Sequence, residues 1–125
     1  EGTSEHSKAS DAFVKAAEVV VKLKRPSIAS WQYNSAAKNL LDAFSKKCDY
    51  YSSVESLNSM KSGNAKNAQR AKLKSCFSEN FDLLKKASVY LTQAELLDLE
   101  VPEKGRDGII ARNKQFVVFV SQFIR

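Results

Sequence analysis

Residues 48–76 read CDYYSSVESLNSMKSGNAKNAQRAKLKSC, a segment that begins and ends with the two cysteines of the chain. Its midpoint is residue 62, and Ser62-Gly63-Asn64 is a turn signal at that point. Each cysteine is therefore 14 residues from the turn, which is about 21 Å along a helix. Residues at equal distances from the tip of an antiparallel helical hairpin face each other. The segment predicts a helical hairpin whose arms are joined by a disulfide between Cys48 and Cys76.

The residues around each cysteine form an apolar stripe with helical spacing. In the first arm the stripe contains Ala37, Leu41, Phe44, Cys48, Tyr51, Val54 and Leu57. In the second arm it contains Leu73, Cys76, Phe77, Leu84, Ala87 and Leu91. Two half-buried thiols on facing stripes are well placed to bridge, although two free buried cysteines would also fit, since they behave as small hydrophobes. A bridge would stabilise the fold by about 3.5 kcal/mol on the chain-entropy model, and it would indicate an oxidising, extracellular setting.

The rest of the chain also has helical periodicity, because Gly and Pro are scarce and fall at junctions. A first helix is predicted over about residues 6–24, and Pro26 suits the first turn of a second. Thr92 and Glu95 have capping-box spacing, which predicts a short helix that begins at Thr92 and stops before Pro102. After a loop at 102–108, a last helix at about 107–124 is expected to be the most buried. The prediction is all-α: a four-helix bundle with an additional short helix, in one domain spanning residues 1–125.

The stretch from Lys61 to Cys76 contains five positive charges and no negative one, in a chain of net charge +6. On a helical wheel the core stripe of the second arm continues beyond Leu73 into Lys66 and Arg70. A face that becomes charged lacks a partner helix, so the tip of the hairpin is expected to project from the bundle as a basic knob. Its residues are Lys61, Lys66, Arg70, Lys72 and Lys74. The knob is either a contact surface for an acidic protein or polyanion, or a solvated helix end.

The motifs of catalysis and cofactor binding are missing from the sequence. The single histidine, His6, has no second ligand at metal-binding spacing, and a catalytic triad would need that same residue. Phosphate-binding loops and zinc patterns are also absent. The prediction is a protein without catalytic residues, metal or cofactor, with no specific nucleic-acid partner. No apolar run approaches the ~20 residues of a membrane span. The chain opens on EGTSEH without a methionine, as a mature chain does after removal of a leader, or as an expressed fragment does.

Taken whole, from KASDAFVKAAEVVVKLKRPS through KKCDYYSSVESLNSM to NKQFVVFVSQFIR, the chain resembles the albicin and anophensin family of anopheline mosquito salivary proteins. The likeness covers the full length, in size, cysteine placement and helical layout. It implies a secreted salivary four-helix bundle that blocks host defence during blood feeding. In albicin-like members the target is the alternative-pathway C3 convertase, C3b-Bb, which is held by binding without catalysis. In anophensin-like members it is contact activation, through factor XII and kininogen.

Two further classes of function stay open. The basic residues at 61–74 would suit a polyanion-binding module, whose affinity should fall steeply as salt rises. The many Phe, Val and Ile residues at 116–124 would suit a carrier of a small apolar ligand. The leading expectation is a complement inhibitor that binds a host plasma protein complex.

Overall fold

The computed structural model describes residues 2–100 and 107–124, which form six α-helices and no strand. The helices are α1 (Gly2–Lys22), α2 (Pro26–Cys48), α3 (Tyr50–Ser59), α4 (Asn64–Glu79), α5 (Phe81–Asp98) and α6 (Asp107–Ile124). The all-α prediction is confirmed, and Pro26 begins α2 as expected. Most of the predicted loop at 102–108 lies outside the described residues. Among the described helices, none is both long enough and apolar enough to cross a bilayer.

Helix α2 is the centre of the fold, with α1 and α5 packed along it. Small residues allow these close approaches, and two buried serines donate hydrogen bonds between helices. Ser10 Oγ donates to the carbonyl of Ala36 at 2.9 Å, and Ser30 Oγ donates to that of Ala94 at 2.9 Å. Both serine side chains are fully buried, so each hydroxyl is satisfied where water cannot reach it.

The expectation that the last helix is the most buried was wrong. Ten residues of α2 are buried, whereas in α6 Val118 and Phe119 remain 52% and 43% exposed. The difference arises because α2 packs between α1 and α5, whereas α6 contributes mainly one face to the core. Composition alone made α6 look central, because it is apolar almost all round.

The first arm of the hairpin is broken at Asp49, which separates α2 from α3. Asp49 adopts the left-handed conformation, with φ 47° and ψ 50°, a region that Asp tolerates better than most residues. The break changes which of the two adjacent tyrosines faces the core. Tyr50 enters the aromatic core, while Tyr51, which the stripe placed inside, is 67% exposed. Val54 and Leu57 do pack inward, as predicted.

The second arm breaks at Asn80, between α4 and α5, and continues without interruption through Thr92. The predicted short helix starting at Thr92 is therefore wrong. Thr92 Oγ1 donates back to the carbonyl of Ser88 at 3.0 Å, a common way to satisfy a threonine within a helix. Glu95 accepts hydrogen bonds from Lys114 of α6 at 3.0 and 3.1 Å instead of closing a capping box. The short helix of the fold is α3.

Candidate interaction surface

The predicted Cys48–Cys76 disulfide is present and joins the last residue of α2 to α4, with the two Cα atoms 5.8 Å apart. The side chain of Asn80 lies against it. Its Nδ2 donates to the carbonyl of Cys76 at 2.9 Å and is 3.5 and 3.8 Å from the sulfurs of Cys76 and Cys48. The disulfide therefore anchors α4 at the end where it turns into α5. Of the basic residues, Lys66 and Arg70 lie in the half of α4 away from the disulfide, and Lys72 and Lys74 lie within four residues of Cys76.

The basic residues are distributed around α4 and its start. Lys61 lies in the connection after α3, and the other four are in α4. All are exposed except Lys66, which is half-buried. Lys66, Arg70 and Lys74 are four residues apart and share a side of the helix. Lys72 is about 200° around the helix from Arg70 and so faces almost the opposite way.

Arg70 packs on the aromatic end of α6. Its guanidinium carbon lies 4.4 Å from the ring centroid of Phe123, which is cation–π geometry. The packed face of α4 therefore extends to Arg70, which contacts α6. The sequence had indicated that this face ends one turn later in the chain, at Leu73. The ring of Phe123 also contacts Phe77 edge to face, at 5.3 Å between centroids.

An aromatic cluster supports this end of the molecule, with Tyr50 near its middle. The Tyr50 ring lies 4.6 Å from Phe116 and 5.8 Å from Phe77, and Phe44 is 5.2 Å from Phe77. Burial raises the pKa of the Tyr50 hydroxyl above its ordinary value of 10.0, and repulsion from the neighbouring Tyr51 raises it further. The Tyr50 phenol is therefore harder to ionise in the folded protein than in the unfolded chain.

A groove of about 320 Å³ opens between α3, α4 and α6 above this cluster. Val54, Phe119 and Phe123 give it an apolar lining, and Arg70 stands beside them. We name this groove, together with Lys61, Lys66, Lys72 and Lys74, the tip surface. It can accept an apolar side chain from a partner. Lys66 and Lys74, on the same side of α4 as Arg70, can attract acidic groups, whereas Lys72 faces away from the groove. The basic residues were visible in the sequence, but the groove was not, since it needs α6 beside α4.

The remaining sequence candidates lie elsewhere. His6 Nδ1 is 3.1 Å from the amide oxygen of Asn39, so the histidine has a structural partner. Within residues 2–100 and 107–124, no three His, Cys, Asp or Glu side chains come together in a group that could hold a metal ion.

The chain was compared with family models, with curated proteins and with solved structures, and none of them matches it.

Proposed function

We propose that this protein is a secreted salivary inhibitor that binds a host defence complex through the tip surface, without catalysis. The proposed target is the alternative-pathway C3 convertase, C3b-Bb. The observation that carries the proposal is the groove in which Phe119 and Phe123 lie beside Arg70, because aromatic residues and arginine dominate the energetics of protein interfaces. The resemblance to the albicin and anophensin family supplies the class of target. The Cys48–Cys76 disulfide suits an extracellular setting.

The proposal includes a four-helix bundle with an additional short helix as the overall arrangement. In it α1, α2, the α4–α5 pair broken at Asn80, and α6 would be the long members, and α3 would be the short one. A compact bundle of this length has a radius of gyration of about 14 Å. Small-angle X-ray scattering measures this value directly. A radius well above it for the monomer would contradict the bundle.

The test of function is lysis of rabbit red cells in human serum, with calcium chelated and magnesium supplied so that only the alternative pathway runs. Dose-dependent protection by the protein is expected. Phe119→Ser should weaken protection at least tenfold, the effect of about 1.4 kcal/mol at an interface. Val118→Ser is the matched control. It also removes an exposed apolar side chain from α6, but Val118 does not line the groove.

Circular dichroism of both variants separates loss of contact from loss of fold. Equal loss of protection in the two variants would place the contact outside the tip surface. Absence of protection by the unmodified protein would contradict C3 convertase as the target.

The distribution of charge favours a second candidate, inhibition of contact activation through factor XII and kininogen, or binding of a polyanion. Basic residues on opposite sides of α4 suit an extended anionic surface better than a flat protein epitope. This function predicts a longer clotting time on an anionic surface. It also predicts that log affinity falls linearly as log salt rises. Replacing Lys72 and Lys74 together with Glu should abolish both effects, and an affinity independent of salt would exclude the polyanion.

A further inference from the structure

A second cleft, of about 360 Å³, lies between α1, α2 and α6. Its apolar walls are Phe13, Trp31 and Ile109, one from each helix. Trp31 is 42% exposed and Ile109 is 40% exposed, so the walls are accessible from solvent. The volume is within the range of about 300–1,000 Å³ that is typical of small-molecule sites. The cleft is near the start of α2, whereas the tip surface adjoins its end.

Two buried asparagines form the floor of this cleft. Asn34 and Asn113 are only 3% and 8% exposed, and Asn113 Nδ2 donates to Asn34 Oδ1 at 2.9 Å. This single hydrogen bond is a small part of the hydrogen bonds that two side-chain amides can form. Within the described part of the chain, this is the one side-chain hydrogen bond that the pair makes. Asn34 Nδ2 and Asn113 Oδ1 therefore keep hydrogen-bonding capacity for a polar ligand group.

The charged residues that line the cleft are both cationic. Arg112 is exposed at the rim, and no ion pair involves it among the described residues. Lys38, the other cation, is already paired with Asp42 on the next turn of α2. No acidic residue is among the described residues that line the cleft. The electrostatic bias at the mouth is therefore towards an anion, and Arg112 is the group available to hold it.

We propose that this cleft binds a small molecule with an aromatic body and a single anionic group such as a carboxylate. The aromatic body would lie between Trp31, Phe13 and Ile109. The anion would accept hydrogen bonds from the guanidinium of Arg112, whose planar fork matches a carboxylate. The amides of Asn34 and Asn113 would bind the nearest polar atoms of the ligand. This site is independent of the tip surface and of the proposed inhibition.

Trp31 makes the test specific, because it is the single tryptophan of the chain. Its indole N–H therefore gives one assignable signal in a proton–nitrogen correlation spectrum. The probe is 4-phenylbutyrate, and its uncharged counterpart is 4-phenylbutanamide. Titration to about 5 mM covers the affinities expected of ligands of this size. We expect 4-phenylbutyrate to shift the Trp31 signal saturably, and to bind more tightly than the amide.

Arg112→Gln should weaken binding of 4-phenylbutyrate by about three- to tenfold, as loss of a partly exposed charge pair does. It should change binding of the amide less than about twofold, and Arg112→Lys should restore part of the loss. Arg25→Gln is the matched control, because it removes the same charge from an exposed arginine outside the cleft. The proposal is overturned by an unmoved Trp31 signal, by equal binding of acid and amide, or by equal loss in the Arg25 and Arg112 variants.

Discussion

Replacing Cys48 and Cys76 together with alanine should lower the free energy of unfolding substantially. The disulfide closes a loop of 28 residues, and the chain-entropy relation gives about 3.5 kcal/mol for a loop of that length. The segment inside the loop has few other anchors. Within the loop, α3 contributes one buried residue, Leu57, with Tyr50 and Val54 partly buried against the core, and α4 contributes Leu73. Little else therefore compensates for loss of the bridge.

The magnitude can be measured by urea unfolding, followed by circular dichroism. A loss of about 3.5 kcal/mol lowers the midpoint by about 1.8 M at a slope of ~2 kcal/mol/M. The melting temperature should fall by about 14 °C at ~4 °C per kcal/mol. Reduction of the unmodified protein should reproduce the variant, and the variant itself should not respond to the reductant. Together these measurements separate the contribution of the cross-link to stability from the contribution of the packing of the cysteine side chains.

Trypsin adds a local measurement, since the loop contains Lys61, Lys66, Arg70, Lys72 and Lys74. If α3 and α4 open locally without the bridge, cleavage there should accelerate far more than elsewhere in the chain. A midpoint shift below about 0.5 M urea would refute the reasoning. It would mean that packing of the aromatic cluster, and not the cross-link, holds the hairpin in place.

Three further outcomes follow from single residues. Lys24 has φ 59° in the turn after α1, where its N–H donates to the carbonyl of Val21, so Lys24→Gly should stabilise the protein by about 0.5–1 kcal/mol. Lys15→Gly, at an exposed position in the middle of α1, should destabilise it by about 1 kcal/mol, and thermal unfolding of the two variants checks both signs. Because the pKa of Tyr50 is raised in the folded state, its contribution to the free energy of unfolding should be full below pH 10 and should be lost as the pH rises through the folded-state pKa. Tyr50→Phe should reduce this loss of stability with pH, as measured by urea unfolding at several pH values. Arg70→Gln should lower the free energy of unfolding by about 0.5–1 kcal/mol through loss of the cation–π contact with Phe123. An unchanged free energy in urea unfolding would argue against that contact in solution.

The helical spacing of apolar residues predicted the all-α class and the disulfide. Both predictions depend on residues that lie within one helix or one helical hairpin. The cysteine pairing follows from the position of one turn, because equal arms place Cys48 opposite Cys76 whatever the bundle around them. The two breaks were harder to predict. Asp49 and Asn80 interrupt apolar stripes that look continuous, and no Gly or Pro marks either position. At Asp49 the left-handed conformation is unfavourable locally, and burial of Tyr50 against Phe77 and Phe116 compensates for it.

The sequence by itself determined that this protein is all-helical, that its cysteines meet across a hairpin and that the tip is basic. These properties follow from residue spacing and composition along neighbouring turns. Only the tertiary structure decided which tyrosine enters the core, which helix lies at the centre and where the two grooves open. The physical reason is that burial is a property of neighbours distant in sequence. Phe119 and Ile109 are as apolar as the core residues of α6, and they remain half-exposed because the neighbouring helices cover only part of each side chain.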